Sequence, residues 1–319
     1  MSIRLALAAS VVASGCAAPS PGHPDAAPPV DAIADAPAPA DADADAAPGP
    51  APAIFYVPHQ DDDYLAMALG IAEHLAAGRP VRAILYTTGG NHGLTQILRG
   101  EAQCPLFGSP DPAFAGHEQF HHFDVSDADI ERIRTEEFRR AMAALGVTDV
   151  VETGWPDDAV TGKDDDPFTA RLEALILANE RAHPGTSHKC VSGIQDCQGN
   201  GGQPFPTHIA CWYAARRLVA AYPDGVDGVH RWDFRFYDDY VYFNPDPSTW
   251  TRQTAWQLTR FMPQKYAAFA SYHQWNPAAG FYALGYHSVP MLFDRAKDDD
   301  FVRVESLDGA PPGFRCPNE

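Results

Sequence analysis

The stretch Ile54-Phe55-Tyr56-Val57-Pro58-His59-Gln60-Asp61-Asp62-Asp63, running on into Tyr64-Leu65-Ala66-Met67-Ala68-Leu69-Gly70-Ile71-Ala72-Glu73-His74-Leu75, decides how the rest of the chain is read. Its apolar start reads as a buried strand and its continuation as a helix. One imidazole and three carboxylates therefore fall where a strand ends and a helix begins. In open α/β sheets that position, beyond the carboxyl end of a strand, is where ligands bind. Zinc accepts both imidazole and carboxylate ligands, and neighbouring acids can divide the labour, one holding metal and one moving protons. The competing reading is that the acids cap the helix and favour the positive end of its dipole. One capping aspartate accounts for one acid, not for three with a histidine two residues before them.

Working outward, Val81 to Thr87 reads as a second strand after a helix ended by Gly78, which completes a right-handed βαβ unit. The loop Thr88-Gly89-Gly90-Asn91-His92-Gly93 is flexible enough to approach a ligand, and residues 93–128 read as an irregular connection of the lid or substrate-binding kind. Ile130 to Leu145 has helical apolar spacing and stops at Gly146, and Val147 to Glu152 returns as a strand. Phe168 to Ala182 is a helix, 183–206 a loop rich in Gly, His and Cys, and Thr207 to Tyr222 a helix with His208 in its first turn. Strands are expected at Trp232–Phe236 and Asp239–Phe243, then a long helix from Arg252 to Phe269. The alternation predicts an α/β fold: a Rossmann-like three-layer sandwich with a mostly parallel sheet and a less regular C-terminal part. The Gly-x-Gly-x-x-Gly fingerprint is absent after the first strand, which argues against a dinucleotide.

The chain begins with Met1-Ser2-Ile3-Arg4 and a short apolar run, Leu5 to Val12, which reads as a secretory signal too short to span a bilayer. Residues 17–53 hold fifteen Ala, ten Pro and six Asp with no aromatic residue, so they cannot bury enough apolar surface to fold. We read residues 1–16 as a signal peptide, 17–53 as a tether and 54–319 as one catalytic domain. The net charge of −19, with no Lys/Arg cluster, argues against nucleic-acid binding.

Five cysteines follow Cys16, and an exported chain permits disulfides. Cys190 and Cys197 are the expected pair, Cys104 could pair with Cys316, and Cys211 in a helical pattern reads as a buried thiol. No Cys-x-x-Cys pair exists, which argues against a structural zinc knuckle. The acidic runs Asp164–Asp166 and Asp298–Asp300 fail EF-hand spacing and read as solvated turns.

Two resemblances add to this reading. Ala13-Ser14-Gly15-Cys16 resembles a bacterial lipobox, which implies lipidation at Cys16, an exported lipoprotein, and membrane contact only through that anchor. The His59-x-Asp61-Asp62 stretch resembles the His-Pro-Asp-Asp-Glu motif of the LmbE/PIG-L-like zinc-dependent N-deacetylases. Thr88-Gly89-Gly90-Asn91, Arg134-Thr135-Glu136-Glu137, Gly154-Trp155-Pro156-Asp157, Pro206-Thr207-His208 and Lys265 with Ala268 and His273-Gln274 are similar to further motifs of that family, in the family's order. Carried over residue by residue, the resemblance implies zinc ligands His59, Asp62 and His208, leaving the fourth position to water. It implies Asp61 as general base, His273 as a second catalytic group, and Arg134 and Asp157 as grips on substrate hydroxyls. Asp63 is left to the helix end.

The sequence departs from the family twice: Gln60 stands in place of proline, and Phe205 stands where the second motif begins with histidine. His92, His188 and His273 are candidates for the missing imidazole. Tyr237, Tyr240, Tyr242, Trp212, Trp232 and Trp275 are candidate sugar-stacking platforms, set against the commoner role of aromatics in cores. The expected function is zinc-dependent removal of an N-acetyl group from an amino sugar or glycan outside the cytoplasm. The alternatives are a non-catalytic glycan-binding lipoprotein and an amidase acting on a sugar-thiol conjugate.

Overall fold

The computed structural model describes residues 49–156, 160, 166–192, 206–238 and 253–307. Five strands run parallel: β1 (Ala53–Val57), β2 (Val81–Thr87), β3 (Asp149–Trp155), β4 (Ser187–Val191) and β5 (Asp233–Tyr237). Two more, β6 (Gln253–Gln257) and β9 (Phe301–Ser306), extend the sheet beyond β5 through antiparallel pairings, giving the order β3-β2-β1-β4-β5-β9-β6. A two-residue ribbon, β7 (Trp275–Asn276) with β8 (Phe281–Tyr282), stands apart from it. The order reverses between β1 and β4, so the crevice above their carboxyl ends is the topological switch point of the sheet.

Alternation along the inner strands assigns each side chain to a face. Phe55 and Val57 join Ala83 and Leu85 under one helical layer, and Ile54 and Tyr56 join Ile84 and Tyr86 under the other. The first layer contains α1 (Ala68–Ala76), α3 (Asp127–Leu145) and a helix placed late in the chain, α6 (Met262–His273). The second contains α4 (Pro167–Ala182) and α5 (Pro206–Ala221). With both faces covered, β1 is buried at every residue, as its unbroken apolar run predicts. Among the described residues, no helix is long and apolar enough to cross a membrane.

The boundaries of β1, β2, α3, α4, α5 and β5 follow the periodicity closely, and the caps explain why. Ser126 and Asp129 form a reciprocal capping box at the start of α3, and Gly146 ends that helix in the left-handed region. Four expectations need correction. The segment after Gly93 is not wholly irregular: α2 (His92–Arg99) starts on an Asn91 cap and ends at left-handed Gly100. The long helix expected from Arg252 is divided, with β6 first and α6 after it. The acids at 298–300 are not free turns, because Asp299 holds Arg303 while Asp300 accepts bonds from Gln257 and Thr259. The strand expected at Asp239–Phe243 lies outside the described residues.

The fourth correction matters most. The loop expected at 183–206 contains β4, a central strand hydrogen-bonded to β1 and β5. Its sequence, Ser187-His188-Lys189-Cys190-Val191, carries no apolar pattern, yet every residue is buried. Each polar group finds a partner instead. His188 lies between Tyr56 Oη and Glu180 Oε2, both at 3.1 Å, and Ser187 donates to Asp233. Burial pushes the Lys189 amine down to about 8, opposed by Asp233. Cys190 pairs with Cys211, not with Cys197 as expected, at a Cα–Cα distance of 6.4 Å. Cys211 faces the sheet one turn after His208, so the bond fastens α5 to β4.

Closing a loop of this length restricts the unfolded chain by about 3 kcal/mol on the chain-entropy account. Cys211→Ser is therefore expected to lower unfolding stability by roughly 2–4 kcal/mol. Denaturant titration checks this, and a change under 0.5 kcal/mol on the ~1 kcal/mol scale of ordinary substitutions would remove the disulfide from the account.

Candidate metal centre and active site

The chain leaving β1 turns back on itself at once, because Asp62 Oδ2 accepts the backbone N–H of His59 at 2.9 Å. The turn is tied to β2 from below: Thr87 Oγ1 donates to the Pro58 carbonyl at 2.6 Å, and Gln60 Nε2 donates to the Thr88 carbonyl at 2.6 Å. Gln60 thus replaces proline stiffness with a hydrogen bond. Its side chain fills the space where a Cβ on Gly89 would stand, and Gly89 has φ +61°. Across the switch point, Tyr86 Oη donates to the Thr207 carbonyl at 2.9 Å and sets the start of α5 against the sheet.

These constraints bring three donors together from residues far apart in sequence. His59 Nδ1, Asp62 Oδ2 and His208 Nε2 form a triangle with 3.2 Å on each side. A tetrahedral zinc ion with ligands at roughly 2.0–2.1 Å requires ligand–ligand edges of about 3.3 Å. Thr207 Oγ1 lies 3.1 Å from His59 Nε2. With the proton on Nε2 and donated to Thr207, the Nδ1 lone pair faces the triangle, the usual outer support of a metal-bound imidazole. Thr207 lies in the first turn of α5, and its hydroxyl serves His59. Asp62 and His208 are buried and His59 partly exposed, so one side of the triangle is open to solvent. Burial favours a neutral Asp62, but the charges and hydrogen bonds of His208 and His59 outweigh it and hold the carboxyl well below the ordinary range. The donor set fits a zinc-class ion: two imidazoles and one carboxylate, with room for one more ligand.

Asp61 points away from Asp62. Its Oδ1 accepts from Arg134 Nη2 and its Oδ2 from Ser288 Oγ, each at 3.0 Å. Arg134, on α3, also gives Nη1 to the Gly89 carbonyl at 2.5 Å and is only 5% exposed. The structure therefore commits both of its terminal nitrogens to protein atoms, and Arg134 orients Asp61 where a grip on substrate hydroxyls was expected. One turn along the same face, Glu137 accepts the backbone N–H groups of Leu284 and Gly285 at 2.7 and 2.9 Å. That anchors the start of α7 (Leu284–Ser288), the short helix that delivers Ser288 to Asp61. Burial pushes the Glu137 carboxyl up to about 8, against the pull of those N–H groups. Asp63, expected only at the helix end, is fully buried against Tyr272, whose hydroxyl also reaches the Gln60 carbonyl. Burial above all, with Asp61 and Asp62 adding, holds Asp63 well above the carboxylate range. A protonated Asp63 donating to Tyr272 while Tyr272 donates to Gln60 satisfies both contacts.

Other expected site residues fall elsewhere. His273 Nε2 binds Asp111 Oδ2 at 2.8 Å and its ring packs on Phe114, Phe269 and Tyr286, so its described partners are not the metal triangle. His188 is buried inside the sheet and His92 sits on the surface beside Asp127. Lys265 is buried and donates to the Asp299 carbonyl at 2.7 Å. Trp212 and Tyr237 are core residues, and Trp232 donates to the Tyr222 carbonyl. Asp157, Phe205, Tyr240 and Tyr242 lie outside the described residues. Reading the sequence missed Ser288, Thr207 as a partner of His59, and Glu137 as an anchor; only the Arg134–Glu137 spacing on one helix face hinted at any of them.

A mostly parallel sheet with two histidines and an aspartate gathered at its switch point defines an α/β protein with a candidate metal centre. The profile of the GlcNAc-PI de-N-acetylase (PIG-L) family matches residues 54–218, more than half of the chain, and the chain belongs to that family. No curated protein sequence matches the chain. Among solved structures, the conserved protein TT1542 from Thermus thermophilus is 17% identical, covering 83% of this chain and 99% of that one with a TM-score of 0.47. The 4-carboxy-2-hydroxymuconate hydratase GalB from Pseudomonas putida is 14% identical, covering 80% and 95% at a TM-score of 0.46. The N,N'-diacetylchitobiose deacetylase from Pyrococcus horikoshii is 14% identical, covering 81% and 85% at a TM-score of 0.44.

Removing one partner of a buried ion pair leaves a charge uncompensated at a cost of roughly 3–5 kcal/mol. Arg134→Met is expected to lose stability on that scale in denaturant titration, whereas an exposed arginine would change it by less than about 0.5 kcal/mol. Glu137 gives a pH signature. Its carboxyl binds its proton more tightly folded than unfolded, so its contribution to stability is complete below the ordinary glutamate range of about 4.3. That contribution falls as pH rises through about 8. Thermal unfolding from pH 4 to 9 should show this decline, and Glu137→Gln should flatten it.

Proposed function

We propose that this chain is a zinc-dependent hydrolase that removes the N-acetyl group from an amino sugar or glycan. The observation that carries the reading is the 3.2 Å triangle of His59, Asp62 and His208 with Asp61 oriented separately beside it. Family membership supports the amide and the amino sugar as the substrate class. His59, Asp62 and His208 would hold the zinc ion, which would supply a Lewis acid for the amide carbonyl and lower the pKa of a bound water towards about 7.

The chain's own groups do the rest. Asp61 accepts the proton of the attacking water and returns it to the departing nitrogen, so one carboxylate serves as base and then as acid. Arg134 and Ser288 fix its two oxygens, which keeps Asp61 from turning onto the metal in place of Asp62. Thr207 holds His59 in the tautomer that binds metal. The products are acetate and a free amine. The lipobox-like Ala13-Ser14-Gly15-Cys16 and the tether at 17–53 support an exported lipoprotein acting outside the cytoplasm, touching the membrane only through Cys16.

Acetate release from a panel of N-acetylhexosamines and their oligomers, with metal analysis of the purified full-length chain, tests the reading. Asp61→Asn is expected to keep its zinc and lose turnover by about 10²–10⁴-fold, the usual weight of a general base. His208→Ala is expected to lose both. An Asp61→Asn variant at full turnover would sink the assignment of the base, and a chain holding metal but releasing no acetate would leave glycan binding in place of catalysis. Release of longer acyl groups in preference to acetate would turn the reading to the sugar-thiol amidase.

A further inference from the structure

A second group of metal-binding side chains lies outside this centre. Cys104, His117, His121 and His287 are all buried, and one donor atom from each lies within 4.8 Å of every other. His117 Nε2 and His287 Nε2 face each other at 3.3 Å, already the edge of about 3.3 Å that tetrahedral ligation requires. We propose that these four residues form a structural zinc site, distinct from the catalytic centre, that clamps the segment between α2 and α3 to α7.

Each donor is prepared for a metal. His287 Nδ1 lies 2.9 Å from the Ala283 carbonyl, which fixes the proton there and leaves Nε2 with a free lone pair. His121 Nε2 is buried with no hydrogen-bond partner, although its side chain is only 3% exposed. An apolar surround gives a buried imidazole nitrogen no reason to go unpaired; a metal gives it one. Cys104 is a free, buried thiol whose sulfur accepts the Leu106 backbone N–H at 3.4 Å. Trp275 covers three of the rings, with centroids 4.2 Å from His117, 5.1 Å from His121 and 5.2 Å from His287, and seals the group from water.

Four protein ligands leave no position for substrate or water, which marks a structural rather than a catalytic site. One thiolate and three imidazoles suit zinc, and the thiol proton goes to solvent as the metal binds. The absence of a Cys-x-x-Cys pair is no obstacle, because the ligands come from a loop and a helix brought together by folding. The site also bears on the first centre. His287 adjoins Ser288, which holds Asp61, so a metal at His287 would fix the residue that fixes the base.

The purified full-length chain is expected to hold two zinc ions per molecule, falling to one in Cys104→Ser and to one in His208→Ala. Cobalt reconstitution separates the two sites, since only the proposed one offers a thiolate. The sulfur-to-cobalt charge-transfer absorption should persist in His208→Ala and vanish in Cys104→Ser and in His121→Ala. Should the cysteine variant fail to fold, the histidine variant and the parent spectrum carry the test. Alkylation of Cys104, followed by peptide mass, should be blocked in the metal-loaded parent and restored by a chelator. A parent holding one zinc, all of it lost in His208→Ala, with no charge-transfer absorption, would overturn the second site while leaving the proposed deacetylase intact.

Discussion

Three consecutive carboxylates, Asp61, Asp62 and Asp63, are buried at the end of one strand, and the surrounding architecture is arranged to make that tolerable. A lone carboxylate taken out of water is costly, and three in a row repel one another as well. Each draws its partners from a different part of the chain. Asp61 has the Arg134 guanidinium and the Ser288 hydroxyl, Asp62 has two imidazoles, and Asp63 has Tyr272 and a raised affinity for its own proton. Because α3, α5, α6 and α7 each supply a partner, their positions around the switch point are coupled to this one turn. On the proposed function, the same division of partners separates the chemistry: one acid for a metal, one for protons, one for structure.

Helix α3 shows how a single element serves the arrangement twice. Arg134 and Glu137, three residues apart on one face, reach opposite ways along the site, the first to Asp61 and the second to the backbone of α7. Helix α7 has only one turn of its own and depends on outside anchors. Glu137 holds its start, and the proposed metal at His287 would hold its end. With that metal in place, Ser288 would make the loop before α3 and the Asp61 carboxylate parts of one network.

Much of this was legible beforehand. The unbroken apolar run before His59 and the period and Gly146 stop of α3 set the α/β alternation and most boundaries, because burial on both faces or on one stripe leaves a direct trace in sequence. His59, Asp62 and His208 were legible only by likeness to a family, since nothing local links residues about 150 positions apart. Strand β4 was not legible at all. Its core is polar, and a polar strand is stable only when particular partners such as Glu180, Tyr56 and Asp233 are in place.

By itself, then, the sequence determined the layered fold, the strand end where the acids gather and, by likeness to a family, the two histidines and the aspartate that meet there. Tertiary structure alone decided that Cys190 bonds Cys211, that Arg134 holds Asp61, that His273 belongs with Asp111, and that Cys104 joins three histidines. The reason is physical. Hydrophobic periodicity depends on which face of an element is buried and can be read along one segment. A hydrogen bond, an ion pair or a metal ligand depends on distances of about 3 Å between atoms that only the folded chain brings together.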